Sequence, residues 1–129
     1  MHAILDQLEP RILLTDVSGT ISSNVVWDNT AEPYNITGVV SIQEGGTLTI
    51  APGVTVTGNS SINRIDVNGD GTLNATGATF AAGIFVNWGT VDLQSNTFQG
   101  SVELVQGSTV SLTNNTFDAS AVITVGPTL

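Results

Sequence analysis

Gly46-Thr47-Leu48-Thr49-Ile50 sets a pattern of a glycine, a hydroxyl residue and then apolar, polar and apolar residues. The pattern returns three times, as Gly71-Thr72-Leu73-Asn74-Ala75, Gly89-Thr90-Val91-Asp92-Leu93 and Gly107-Ser108-Thr109-Val110-Ser111-Leu112. The first apolar residues of the four copies are separated by 25, 18 and 19 residues. Recurrence at a nearly constant spacing is typical of a stacked-repeat architecture.

Two further elements accompany the pattern. Seven residues after the first apolar residue, the last three copies carry a Thr-Phe pair: Thr79-Phe80, Thr97-Phe98 and Thr116-Phe117. A short alternating apolar run precedes each copy: Val40 and Ile42, Ile65 and Val67, Ile84 and Val86, Val102 and Leu104. An apolar period of two indicates a β-strand. One repeat therefore reads strand, tight turn, strand, tight turn, short strand.

Such a repeat is too short to contain helical crossovers, which take about ten residues or more. The simplest arrangement coils the chain so that each strand pairs with its equivalent one turn later, about 4.8 Å away. The sequence thus predicts an all-β fold, a right-handed parallel β-helix (β-solenoid) of about five rungs over residues 19–129. Its inward residues would stack in ladders, with Leu48, Leu73, Val91 and Val110 in one and Phe80, Phe98 and Phe117 in another.

The composition agrees with stacked rungs. Charged residues make up 10% of the chain, whereas about 25% is usual for a globular protein. A column of like charges about 4.8 Å apart would repel itself, while threonine and asparagine can hydrogen-bond along a column. The predicted outward column Thr49, Asn74, Asp92 and Ser111 accordingly contains one charge.

Charge and hydropathy exclude several partners. Eleven acidic residues against two basic ones give a net charge of −9, and nucleic-acid binding needs clustered Lys and Arg. The chain has no cysteine and therefore no disulfide or thiolate metal site. It has no apolar run of the roughly 18 residues that predict a membrane span, and its first 18 residues lack the pattern of a secretory signal. We expect neither a nucleic-acid partner nor a membrane span.

Residues 1–18 differ from the repeats, so the sequence divides into an N-terminal cap (1–18) and a parallel β-helix (19–129). Apolar side chains near a helical period predict an amphipathic cap over the first rung, interrupted at Pro10. Residues 8–14, Leu-Glu-Pro-Arg-Ile-Leu-Leu, resemble the LEPR-XLL motif found near the N-termini of large bacterial surface proteins. The motif usually continues with Ser-Ala, and here Thr15-Asp16 follows.

Residues 27–56 resemble the first rungs of bacterial right-handed β-helix repeat proteins. Those rungs run from a Trp through Pro-Tyr and Gly-x-Val to Thr-Leu-Thr-Ile-x-Pro-Gly-Val, here Trp27, Pro33-Tyr34, Gly38-Val39-Val40 and 47–54. The resemblance implies an extracellular or cell-surface location in a bacterium. Trp27 and Tyr34 read either as buried aromatics of the first rungs or as a sugar-stacking pair.

Residues 66–71, Asp-Val-Asn-Gly-Asp-Gly, match the opening of an EF-hand loop, and their continuation resembles a dockerin repeat. The twelfth position of an EF-hand loop should carry a bidentate acid, but it is Gly77 here, and helical flanks are missing. Asn, Gly and Asp also favour tight turns because they tolerate positive φ. The sequence predicts a turn and no cofactor. A calcium ion held by Asp66, Asn68 and Asp70 is the alternative.

Phe85 and Trp88 form a possible contact patch. The inward positions of Ile84 and Val86 place Phe85 on the outside of its rung, and Trp88 lies at the following turn. An exposed phenylalanine is unusual on so polar a surface. We expect coverage by the N-terminal segment or contact with another protein chain, with a carbohydrate site as the alternative.

Three classes of function remain. β-Helix lyases and hydrolases need a proton-abstracting base or a close pair of acids; the chain has no Lys and its acids are scattered, so we expect no enzyme. Columns of Thr favour an ice- or carbohydrate-binding module. The hypothesis that explains most is a structural surface protein, either a filament subunit that associates with itself through its ends or a fragment joined to further rungs. The predicted assembly interface comprises Leu8, Ile12, Leu13, Ile123, Val125 and Leu129.

Overall fold

The computed structural model describes residues 15–58, 63–105 and 107–118, and the backbone of 123–125. These residues form fifteen β-strands and no helix. The strands are β1 (Thr15–Ile21), β2 (Asn24–Trp27), β3 (Tyr34–Ile42), β4 (Thr47–Ile50), β5 (Thr55–Thr57), β6 (Arg64–Asn68), β7 (Thr72–Thr76), β8 (Thr79–Ala81), β9 (Gly83–Asn87), β10 (Thr90–Gln94), β11 (Thr97–Phe98), β12 (Val102–Leu104), β13 (Thr109–Thr113), β14 (Thr116–Phe117) and β15 (Ile123–Val125).

The strands stack on three faces, which the chain visits in a repeating order. Face 1 holds residues 19–21 of β1, residues 40–42 of β3, and then β6, β9, β12 and β15. Face 2 holds β2, β4, β7, β10 and β13. Face 3 holds residues 15–17 of β1, residues 34–36 of β3, and then β5, β8, β11 and β14. All these strand pairs are parallel, which makes the fold a parallel β-solenoid of about five turns and confirms the predicted fold class.

The predicted ladders are present in the predicted register. On face 2, Leu48 pairs with Leu73, Leu73 with Val91, and Val91 with Val110. Val25 extends this ladder by one rung, opposite Leu48. On face 3, the rings of Phe80 and Phe98 stack with centroids 5.2 Å apart, and those of Phe98 and Phe117 with centroids 4.9 Å apart.

The core is a single column that becomes less protected toward the terminal rungs. In the middle, Leu48, Leu73 and Leu93 are fully buried. At one end Val25 is half-buried, and at the other Leu112 is 37% exposed. A terminal rung has a neighbour on one side only, so its inward side chains lose contacts that the central rungs make.

The parallel pairing starts inside the segment predicted as a cap. β1 begins at Thr15, four residues before Gly19, and Thr15 pairs with Tyr34. Val17 and Ile21 pack against the core, so β1 contributes apolar side chains to the solenoid. Four of the residues predicted for assembly, Leu8, Ile12, Leu13 and Leu129, lie outside the described residues. Ile123 and Val125 lie on β15, opposite Val102 and Leu104 of β12.

Candidate functional site

Phe85 lies on the outer side of face 1, as predicted, and it is covered by an arginine. The guanidinium carbon of Arg64 lies 4.7 Å from the centroid of the Phe85 ring. The Nε of Arg64 also donates to Oδ1 of Asp66 at 2.7 Å. The register partner of Arg64 is Gly83, which has no side chain, and this leaves room for the guanidinium to lie toward Phe85. The ring is half-buried. Further cover by the N-terminal segment stays a prediction, because residues 1–14 lie outside the described part of the chain.

Trp88 is the most exposed aromatic residue among those described, with 57% of its surface accessible. It sits at the turn after β9 with a φ of 68° and makes an isolated bridge with Asn68 on the neighbouring rung. A Cβ atom built on Gly107 would overlap the Trp88 ring, so the indole lies directly against the turn of the next rung. One face of the ring is supported by backbone, while the side chain remains open to solvent.

The motif at residues 66–71 forms the predicted tight turn. The Gly71 amide donates to the Asn68 carbonyl at 2.7 Å, and Gly69 adopts a φ of 50°. Asp66 and Asn68 lie on the outer side of β6, where Asp66 binds Arg64 and the Asn68 amide donates to Ser41 Oγ at 3.0 Å. Calcium binding stays a hypothesis, and a cation beside Asp66 disfavours it by Coulomb repulsion.

A short ladder of asparagines was missed by the sequence analysis. Asn96 is 1% exposed, and its Oδ1 accepts from the Ala78 amide at 2.9 Å while its Nδ2 donates to the Ala75 carbonyl at 3.1 Å. Asn115 repeats the arrangement one rung later, accepting from the Asn96 amide and donating to the Leu93 carbonyl. Each asparagine thereby ties its rung to the turn of the rung before. The signal in the sequence is Asn-Thr-Phe at 96–98 and again at 115–117.

Trp27 and Tyr34 form a buried pair. Their rings stack with centroids 4.8 Å apart, and the two residues are 5% and 7% exposed. The Tyr34 hydroxyl accepts a hydrogen bond from the Asn29 amide at 3.0 Å. Because so little of either side chain is accessible, the structure supports the interpretation as buried aromatics of the first rungs over the sugar-stacking alternative.

Both terminal rungs present apolar groups. At the first rung, a cavity of about 320 Å³ opens between β1, β2 and β3. Its wall contains five apolar residues together with Asp16 and Ser18. At the last rung, β13 and β14 pair on one side only among the described residues. Their inward residues Val110 and Phe117 are half-buried and Leu112 is exposed. The described solenoid thus presents apolar side chains at both of its ends.

The described part of the chain holds no cluster of three or more His, Asp and Glu side chains in a metal-binding arrangement. It also contains no helix of the length and apolar character that a membrane crossing requires. Arg64, the basic residue on the solenoid, is paired with Asp66.

The described part of the chain forms fifteen short strands that pair in parallel on three faces, and aliphatic, aromatic and asparagine side chains stack in ladders. These features define a parallel β-helix protein. Residues 19–122 match the family described as a pectate-lyase like beta helix domain, and the chain belongs to that family. The family's fold is also used by enzymes. Neither the curated proteins nor the solved structures compared with the chain gave a match.

Proposed function

We propose that the protein is a non-catalytic structural protein of the bacterial cell surface or exterior and associates with itself through the ends of its solenoid. The observation that carries the proposal is the pair of open terminal rungs. Among the described residues, β13 and β14 pair on one side only at one end, and β1 and β2 do so at the other end, beside a cavity. Unpaired edges are templates for further strand pairing unless charge, bulges or a cover protect them.

The composition of the last rung supports association at that end. Residues 109–117, which include β13 and β14, contain no charged residue. Natural sheets commonly guard an exposed edge with lysine or other charges. Contact between two different ends that does not close on itself generates a filament.

The absence of a catalytic constellation in the described residues supports a non-enzymatic role, although the fold is shared with enzymes. Arg64 is the basic side chain on the solenoid, and its guanidinium already donates to Asp66 and covers Phe85. A proton-abstracting base must be free and within reach of the substrate. Asp66 and Glu103 lie two rungs apart on face 1, with Phe85 between them.

Association is tested with Leu112→Lys, which places a charge on the open edge of β13. We expect the wild type to scatter light increasingly with concentration in the micromolar range and the variant to remain monomeric. Thr76→Lys is the matched control, because Thr76 is exposed on the same face but lies on a central rung. Circular dichroism verifies that each variant is folded. A wild type that stays monomeric, or a folded Leu112→Lys that assembles equally well, contradicts the proposal.

A second candidate function is binding of a neutral polysaccharide at the patch formed by Phe85 and Trp88. The observation that favours it is the exposed indole of Trp88, held against Gly107 by a strained backbone conformation. Rigid aromatic rings beside amides such as Asn87 are suited to stack on a sugar ring and to orient its hydroxyls. The net charge of −9 disfavours acidic polysaccharides.

This second candidate is tested by tryptophan fluorescence. Trp27 is buried, so a polysaccharide that binds at the patch should change the emission of Trp88 and have no such effect in Trp88→Phe. Affinity electrophoresis in gels containing neutral polysaccharides provides the second measurement. Equal retardation of wild type and Trp88→Phe would place any binding elsewhere.

A further inference from the structure

Asn68 ends β6, and Gly69 follows it in the turn that leads from face 1 to face 2. Asn68 is the one asparagine of the chain that is followed by a glycine. In such a pair the main-chain nitrogen of the glycine can attack the side-chain carboxamide carbon of the asparagine, because glycine has no side chain to block the approach and adopts many backbone conformations. Asn68 is therefore the asparagine of this chain that is chemically most open to deamidation.

The reaction changes two bonds at Asn68. The Gly69 nitrogen gives its proton to a base from solvent and forms a bond to Cγ of Asn68. The bond between Cγ and Nδ2 breaks, Nδ2 takes up a proton and leaves as ammonia, and a cyclic succinimide remains. Water then opens the ring at either carbonyl. One opening leaves aspartate at position 68, and the other leaves isoaspartate, in which the main chain runs through Cγ.

The solenoid holds the two reacting groups on different neighbouring rungs. The Gly69 amide donates to the Asn87 carbonyl on the following rung at 3.1 Å. The Asn68 side chain is held by the preceding rung, where its Nδ2 donates to Ser41 Oγ at 3.0 Å. Ser41 is itself held in place, because its hydroxyl donates to Gln43 Oε1 at 3.3 Å. Ring closure therefore requires that both interactions be broken first.

We propose that Asn68 is a deamidation site that reacts when the turn 68–71 opens, and that Ser41 is the positioning residue that keeps it unreactive. Gly69 is exposed, and no other atom lies within 4 Å of the position that a Cβ atom would take there, so solvent reaches the turn. Local opening of an exposed turn costs less free energy than global unfolding. The rate of modification at Asn68 therefore reports how often this rung opens.

The two products affect the stack differently. Aspartate has nearly the shape of asparagine and adds a negative charge to a chain that carries −9. Isoaspartate adds a carbon to the main chain between β6 and Gly71. Position 68 pairs with Asn87, and the Gly71 amide donates to the Asn68 carbonyl at 2.7 Å, so both contacts depend on the natural backbone length. Isoaspartate at this position therefore weakens the turn from face 1 to face 2.

The protection is tested by incubating the full 129-residue chain in mildly alkaline buffer, once folded and once in guanidinium chloride. Proteolysis and mass spectrometry measure deamidation at position 68, and chromatography separates the isoaspartate and aspartate peptides. We expect the folded chain to react about ten times more slowly or less, a factor that corresponds to about 1.36 kcal/mol in the barrier. An equal or faster rate in the folded chain would overturn the proposal.

The role of Ser41 is tested in folded variants. Ser41→Ala removes the acceptor of Asn68 Nδ2, and we expect it to react about two to ten times faster than the wild type, the range that loss of one hydrogen bond implies. Thr20→Ala is the matched control, because Thr20 pairs with Ser41 in the same outward column but lies one rung farther from Asn68. Phe117→Ala controls for lower overall stability, because Phe117 stacks on Phe98, away from this turn.

Circular dichroism verifies that each variant is folded. A Ser41→Ala chain that reacts no faster than Thr20→Ala would show that Ser41 does not protect Asn68. An equal rate in Ser41→Ala and Phe117→Ala would show that overall stability, and not the contact with Ser41, sets the rate. Either result would overturn the proposal.

Discussion

Phe98 is fully buried and stacks on an aromatic ring on each side, whereas Phe117 is half-buried and stacks on one. Truncating a packed phenylalanine typically costs about 3–5 kcal/mol, and each ring contact adds roughly 0.5–1.5 kcal/mol. We expect Phe98→Ala to lower the free energy of unfolding by about 3–5 kcal/mol and Phe117→Ala by clearly less. Denaturant midpoints measure both. Equal shifts would mean that the three rings do not behave as a stack in solution.

At the same scale, Asn96 differs from Asn115 in what its removal leaves behind. Loss of the Asn96 side chain removes the bond to the Ala75 carbonyl and leaves the Ala78 amide without its acceptor in the core, and an unsatisfied buried group costs about 1–3 kcal/mol. Asn115 belongs to the last described rung of the ladder and is only half-buried, so water can replace part of its bonding. We expect Asn96→Ala to be more destabilising than Asn115→Ala in thermal melts. If Asn115→Ala were the more destabilising variant, burial would not determine how much each asparagine contributes to stability.

At the scale of the element, the glycine that opens each repeat has a steric reason. A Cβ atom on Gly71 would overlap the carbonyl of Ile42 on the preceding rung, and Gly46 and Gly89 stand in the same relation to Ile21 and Val67. The turn from face 1 to face 2 therefore packs backbone on backbone. Ser108 takes this position in the fourth copy, where its hydroxyl donates to the Val86 carbonyl at 3.1 Å.

Two glycines of one turn allow a matched test of this reason. Gly69 has a φ of 50°, and no other atom lies within 4 Å of the position that a Cβ atom would take there. Gly69→Ala therefore adds conformational strain alone, about 1–2 kcal/mol. Gly71→Ala must push two rungs apart, and we expect it to cost more and to lower the cooperativity of unfolding. Denaturant unfolding of both variants gives the comparison. A larger loss in Gly69→Ala would indicate that turn conformation, rather than rung spacing, limits stability here.

For the whole molecule, the net charge of −9 opposes association of identical chains. Salt shortens the Debye length from about 30 Å at 0.01 M to about 10 Å at 0.1 M and so screens this repulsion. Burial of apolar residues at the terminal rungs is not weakened by such screening. We expect light scattering at a fixed protein concentration to rise as sodium chloride increases over this range. A decrease would indicate that ion pairs, and not apolar strand edges, hold the copies together.

The amino-acid sequence determined the spiral and the inward ladders of this protein. Period-two apolar runs and a repeat of 18 to 25 residues leave parallel stacking as the simple solution, because no crossover fits in so short a connection. The register of Leu48, Leu73, Val91 and Val110 and the stacking of Phe80, Phe98 and Phe117 followed from the same spacing. Local sequence patterns are enough to predict the register where each residue packs against its own equivalent one rung away.

Only the tertiary structure decided the features that depend on unlike neighbours. Arg64 covers Phe85 because Gly83, opposite Arg64 on the adjacent strand, has no side chain and leaves space. No periodic pattern in the sequence predicts that missing side chain. The sequence around Asn96 would suit a solvent-exposed bend equally well. Asn96 points inward because its side-chain amide bonds to backbone groups of the rung before.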